Sequence, residues 1–516
     1  MNYLPPTSPA FQRRGMVLVL VLVVVSLLTI AALTFSEMMF TEKRAAGLTV
    51  AQAQARASAD SGLELVRFFL TQDEESLEQA GGWYNNQQRF RGVTVVDDSD
   101  PKRRAKFAIV CPSVDLEDST GLRFGIEDES TKLNLNAMMA IEKSSKGSGR
   151  SVLLGLPGMT DEIADAILDW LDEDDEPREY GAEVDYYGSL TPGYAPKNGP
   201  LETVEELLLV KGVTPALLFG CDTNRNGLAD GGEPAGESLD GVDNSDGSMS
   251  RGWAAYLTLY SLEKNTRPDG QPKVNLNQDD MQTLHEELTS ALSNAQWADF
   301  IVAYRQNGPY TGTKIGEMPS GKELDLTQKG TVKFTTVLDL IGSRVQVKYP
   351  GDKDPTVLES PFPNLPGVMN AYLPALMENL TVNTSKTIPG RININQASPT
   401  ALGGIPGMTS EALEQIVSQR QPDPIQRDPN HKYETWILAE GIVSLDEMKA
   451  LMPFVTGGGN VYRAQVVGYF DGGGPAARIE AVLDASKSPP KVVFWRDLSH
   501  LGRGYPVEIL GVTAGF

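Results

Sequence analysis

The sequence predicts an α+β fold in which a long N-terminal helix and a small antiparallel sheet carry a large, mainly α-helical insertion. Three observations predict it. An uncharged run at residues 16–36 continues, without proline, into Ala- and Gln-rich sequence as far as about Thr71. Runs of β-branched and alternating residues stand near both ends of the chain, with helical sequence between them. Within that middle a segment recurs: residues 155–167 read GLPGMTDEIADAI and residues 404–416 read GIPGMTSEALEQI, identical at seven of thirteen positions.

The helix comes first. Residues 1–15 are polar and end in Gln12-Arg13-Arg14-Gly15. At 1.5 Å per residue, the uncharged run that follows spans about 30 Å, the thickness of a bilayer core. Arg13 and Arg14 belong on the cytoplasmic side by the positive-inside bias, which puts the bulk of the chain on the other. A secretory signal would be shorter and would end in a small-x-small site, of which Ala31-Ala32-Leu33-Thr34 is a poor version. A plain signal anchor and a leader cut ahead of the apolar run are the other two readings.

The strands come next. Residues 91–96, 106–110 and 122–128 form the early group, and residues 461–470, 477–483 and 491–495 the late one. The late strands are parted by Asp471-Gly472-Gly473-Gly474 and by residues 486–490. Two such groups around helical sequence predict one sheet with an insertion.

The repeat organises that insertion. Its copies begin Lys132-Leu133-Asn134-Leu135-Asn136 and Arg391-Ile392-Asn393-Ile394-Asn395, and later share Glu202-Thr203 and Glu434-Thr435 ahead of a tight glycine, Gly212 or Gly441. A third start, Lys273-Val274-Asn275-Leu276-Asn277, has no Pro-Gly hairpin after it. In the turn, Gly supplies the bend, and Thr160 or Thr409 caps the next helix. Such hairpins resemble the helix-hairpin-helix module, which grips DNA backbone through its amides. Here Asp161-Glu162 and Glu411 stand where phosphate would sit. The chain's net charge of -23 and pI near 4.6 argue the same way, because nucleic-acid affinity rests on Lys and Arg. The hairpins are therefore expected to pack, with a membrane-anchored DNA-binding or DNA-uptake protein as the alternative.

Residues 222–233, DTNRNGLADGGE, fit the calcium-loop template. Side-chain oxygens of Asp222, Asn224, Asn226, Asp230 and Glu233 occupy positions 1, 3, 5, 9 and 12. Gly227 makes the sharp turn at 6, and the Leu228 carbonyl falls at 7. Hard oxygen ligands select Ca2+ over zinc. A second acidic run with Asp240, Asp243 and Asp246 is off-template and is expected to complete the first site or form another. The two cysteines, Cys111 and Cys221, and three scattered histidines exclude a Cys- or His-built metal cluster. No nucleophile elbow, phosphate loop or H-E-x-x-H is present, so no enzyme is expected. An anchored periplasmic ectoenzyme is the remaining alternative.

Arg13-Arg14-Gly15 ahead of the apolar helix resembles the leader of type IV pilins and type II secretion pseudopilins. The resemblance implies a prepilin peptidase that cuts after Gly15 and methylates the new terminus at Met16. Most of those proteins carry Glu at mature position five, where this chain has Leu20; the K component of type II secretion is known for that absence. Further motifs appear in the order of the type II secretion protein K family. They are Lys132-Leu133-Asn134-Leu135-Asn136, Asp169-Trp170-Leu171-Asp172, Pro177-Arg178, Gly181-Ala182-Glu183, Asn198-Gly199-Pro200-Leu201 and Val210-Lys211-Gly212-Val213-Thr214.

Membership would imply a pilin-like fold and a structural, calcium-binding minor pseudopilin. It would cap the pseudopilus tip with the I and J components, contact the inner-membrane assembly platform and help start assembly. It would cross the bacterial inner membrane once, N-terminus cytoplasmic and bulk periplasmic. The expected division is a leader at 1–15, a transmembrane part at 16–36 and the rest of the helix at 37–75. The first sheet segment follows at 76–130, the insertion at 131–390, the second repeat at 391–456 and the last strands at 457–516.

Overall fold

The computed structural model describes residues 14–112, 121–228, 230, 232–233, 236, 238–239, 241–318 and 322–511. Residues 1–13 of the expected leader, and Asp240, lie outside the described residues. Helix α1 (Arg14–Phe69) is continuous over 56 residues, about 84 Å long. Everything from Met16 to Val50 is exposed, and the apolar part is the one helix among the described residues long and apolar enough to cross a membrane. From Ala51 onward one face turns inward: Ala55, Ala59, Leu63, Val66 and Phe69 are buried at helical spacing. Small residues let that face approach closely. A Cβ on Gly62 would strike Val466 and Phe107, and one on Gly468 would strike the helix backbone at Ala55.

The surface under α1 is a seven-stranded, wholly antiparallel sheet. Its early strands are β1 (Val93–Val96), β2 (Ala105–Pro112), β3 (Leu122–Arg123) and β4 (Glu127–Asp128). Its late strands are β5 (Val461–Phe470), β6 (Ala477–Asp484) and β7 (Lys491–Asp497). The order is β1-β2-β5-β6-β7, with β3 on the end of β2 and β4 on the end of β5. Val466 faces Ile109 on one side and Ile479 on the other, so both groups form one sheet as the sequence predicts. Residues 122–128 form two short strands rather than one. The chain turns between them at Gly125, where a side chain would meet the Trp83 and Tyr84 carbonyls.

Residues 129–460 are inserted between β4 and β5, and the described ones among them form a separate head. The head holds three copies of the repeated unit. Leu133-Asn134 runs parallel to Leu257-Thr258, Val274-Asn275 to Leu380-Thr381, and Ile392-Asn393 to Val455-Thr456. The first Asn of each start accepts the amide two residues on. The second Asn clamps a distant backbone: Asn136 exchanges two bonds with Leu201, and Asn277 two with Phe334. Asn395 donates to the carbonyls of His431 and Gly457.

Each unit then carries a helical hairpin: α2 (Ser148–Leu154) with α3 (Asp161–Leu171), α4 (Met281–Leu292) with α5 (Ala295–Asn307), and α6 (Pro399–Gly403) with α7 (Ser410–Gln419). In the middle unit Ser293, at φ 50°, and the N-cap Asn294 make the turn that Pro-Gly-Met-Thr makes in the others. That unit was hidden in the sequence, which shows its start but no Pro-Gly hairpin.

The head and the sheet have separate cores. One runs through all three units, from Leu133 to Val455. The other lies between α1 and the sheet. Outside the six hairpin helices the head holds short α-helices, 3-10 turns, two-stranded ladders and loops.

Candidate functional site

The repeated hairpins meet each other. Gly155, which ends α2, and Gly404, which ends α6, lie so close that a Cβ on Gly155 would strike the Gly404 backbone, while one on Gly404 would strike the Val152 carbonyl. The two hairpins thus pack on each other.

The 222–233 loop gathers its template side chains at one place. The Asp222 carboxylate accepts the amides of Asn226 (3.0 Å) and Gly227 (2.8 Å). Gly227, at φ 71°, makes the turn at position 6. Asp230 Oδ2 accepts Asn224 Nδ2 (2.7 Å) and Asn226 Nδ2 (2.8 Å). Glu233 folds back so that Oε1 accepts the Thr223 amide and hydroxyl and the Asn224 amide. Its other oxygen, Oε2, is buried without a hydrogen-bond partner. Burial pushes the Asp222 carboxyl up, the amides of Gly227 and Asn226 oppose that, and the Glu233 charge adds to it.

Among the described residues no group of three or more His, Cys, Asp and Glu side chains is placed to hold a metal ion. The loop's set is mixed, as its template is: three carboxylates, two carboxamides and a main-chain carbonyl. An orphaned buried carboxylate oxygen and oxygens with a spare lone pair fit a hard cation that would draw them together.

The second acidic run is placed differently. Asp243 and Asp246 are exposed, and each accepts the amide two residues on, from Ser245 and Ser248. Among the described residues, no hydrogen bond joins either to the loop's ligand side chains; Asn244 instead reaches the Gly236 carbonyl. No disulfide joins Cys111 to Cys221. Burial pushes the Cys111 thiol up to about 11.

A second charged cluster was visible only as a motif. Asp169, Asp172 and Glu183 are buried around one cation, Arg178, whose Nη1 lies 2.6 Å from Asp169 and 2.5 Å from Asp172. Gly181 is required there, because a Cβ would run into the Asp169 carboxylate. Both Glu183 oxygens are buried without partners. Burial, with the charges of Asp169 and Asp172, raises its pKa to about 7.

Several of the contacts where the head meets the sheet are ion pairs. Arg463 of β5 pairs with Glu129 (2.6 Å) and Glu480 (2.5 Å), and Glu129 also accepts the Thr258 hydroxyl from the head. Burial would raise the Glu480 carboxyl, but Arg463 and Arg496 hold it down to about 2. A cavity of about 150 Å³ opens at this junction beside Asp222, Arg225, Arg251 and Arg496.

The terminal residues of interest sit on α1. Gly15 and Met16 lie in its first turn, and Leu20 is exposed one turn further on.

Residues 131–219, the whole first hairpin and its acidic cluster, match the profile of the family described as type II secretion system (T2SS), protein K. Over 216 residues the chain is 30% identical to type II secretion system protein K of Aeromonas hydrophila, covering 40% of this chain and 62% of that one. Over 103 residues it is 38% identical to the protein K of Pseudomonas aeruginosa, covering 19% and 31%. The chain thus spans under two thirds of the length of these relatives. The crystal structure of the GspK-GspI-GspJ complex from the type 2 secretion system of enterotoxigenic Escherichia coli aligns over 89% of this chain and 99% of its own. Its identity is 10% and its TM-score 0.37, too low to bear on the fold.

Proposed function

We propose that this chain, which belongs to the type II secretion system protein K family, is a structural minor pseudopilin. It caps the pseudopilus tip with the I and J components and helps start assembly on the inner-membrane platform. The observation that carries the reading is the placement of the matched segment 131–219 inside a bulky head, set between two strands of a sheet that rides on the end of α1. A head of that size is hard to repeat at every step of a thin helical fibre and suits its end.

The apolar half of α1 serves as the single membrane anchor, N-terminus cytoplasmic and head periplasmic. Processing by the prepilin peptidase after Gly15 leaves Met16, methylated, as the first residue. Leu20 then offers no carboxylate to the amino terminus of a subunit above it. An unpaired charge in an apolar helix bundle is costly, so that position favours a subunit with nothing stacked on top.

The loop ligands Asp222, Asn224, Asn226, Leu228, Asp230 and Glu233 hold calcium, which supplies a cross-link between the two ends of the loop. The alternatives of DNA uptake and an anchored ectoenzyme have no observation in their favour.

The mature N-terminal residue decides the class. Mass spectrometry of the chain purified from membranes is expected to give methylated Met16; a terminus near residue 35 would mean a cleaved secretory signal instead.

A further inference from the structure

We propose that the 222–233 loop fastens the head to the sheet, and that calcium in the loop governs how tightly the two are joined. This rests on the reading of the loop as a calcium site.

By chain position the loop belongs to the head. It follows Leu218, which is buried in the head core, and the Cys221 amide bonds the Ser250 carbonyl there (2.9 Å). By contact it belongs to the sheet. Leu228 packs against the sheet core, and Gly227 lies against Pro112 of β2. Asn226 is fully buried and donates to the Gly504 carbonyl at 2.6 Å. Its own carbonyl accepts the Tyr505 hydroxyl at 2.8 Å, and that hydroxyl also meets Gln465 of β5. Arg478 of β6 donates to the Asn224 carbonyl.

Two ligand positions are thus shared. The side chains of Asn224 and Asn226 face the ion position, and their main-chain carbonyls are held by the sheet. The shape of the loop therefore decides whether those carbonyls point at Arg478 and Tyr505.

Arg478 makes the coupling strong. It is fully buried, and its Nε and Nη1 are already without partners. If the loop opens, its remaining bond to Asn224 goes too, leaving a guanidinium in the protein interior with nothing to donate to, which is costly. Without an ion, Asp222, Asp230 and Glu233 repel one another and favour opening. With one, they are drawn together. Loop order and head docking share the same bonds, so each stabilises the other reciprocally.

Hydrogen exchange on the full chain in detergent micelles, with millimolar calcium or with a chelator, reads this directly, alongside calorimetric titration with calcium alone. Calcium is expected to slow exchange about tenfold in the loop, in residues 498–505 on the sheet side and in residues 249–258 on the head side. Protection confined to the loop would overturn the fastener while leaving the calcium site intact. No calcium binding by calorimetry would remove the site, and the fastener with it. Tyr505→Phe keeps the ring but loses both hydroxyl bonds. It is expected to bind calcium yet lose the slowing at 498–505, and a variant that responds as the parent does would count against the proposal.

Discussion

Glu183 is a carboxyl group with no hydrogen-bond donor, in a cluster that holds one Arg for three acids. Its folded pKa of about 7 lies above the ordinary 4.5, so between those pH values the folded chain keeps a proton that the unfolded chain has released. Stability therefore falls as pH rises from about 4.5 to about 7. Thermal unfolding followed across that window should show the midpoint dropping, and Glu183→Gln should flatten the slope; an equally steep slope in the variant would assign it to other groups. At this scale the sequence was only partly readable. The loop ligands stand within twelve consecutive positions, so a template finds them. Arg478, Gly504 and Tyr505, which hold the loop from the other side, lie more than 240 residues away, and no local pattern connects them. Glu183 was legible as part of a motif but not as a buried acid, because burial is a property of the packed head.

The elements were the most legible part. Helix α1 and the late strands fall within a few residues of where apolar runs and turn residues place them. Two of the three repeats were also plain. The middle one escaped because Ser293-Asn294 replaces the Pro-Gly turn and Thr335-Thr336 replaces Glu-Thr. Its signals were there in Asn277-Gln278, which matches Asn395-Gln396, in the Thr336/Asp339 capping box and in Gly342 at φ 60°. The meeting of α2 with α6 gives a direct test of the hairpin contact. Gly155 has an ordinary helical φ of -71°, so Gly155→Ala adds a methyl group without backbone strain. Overpacking there should cost about 1–3 kcal/mol in urea unfolding. A neutral or stabilising effect would mean that the two hairpins do not touch.

The described residues of the head and the sheet form two apolar cores, and the seam between them carries buried ion pairs. Burying charge at such a seam adds little net stability, but removing one partner leaves the other uncompensated. Arg463→Met leaves Glu129 without its cation and Glu480 with Arg496 alone, and should cost about 3–5 kcal/mol. It should also split the urea unfolding of the full chain into two steps, sheet and head, when tryptophan fluorescence is followed. A single transition at the parent midpoint would contradict the division into two cores. The sequence indicated the insertion but not the seam, since Glu129 and Arg463 are neighbours only after both strand groups have paired.

The chain leaves the sheet at Asp128 and comes back at Gly459, and the Asp128 carboxylate accepts the Gly459 amide at 2.8 Å. The two ends of a 330-residue excursion are thus pinned side by side. A head built of like units on such a footing can grow by duplication, one unit at a time, with the anchor and sheet left as they were. The three units here, two close in sequence and one far diverged, are what that history would leave behind.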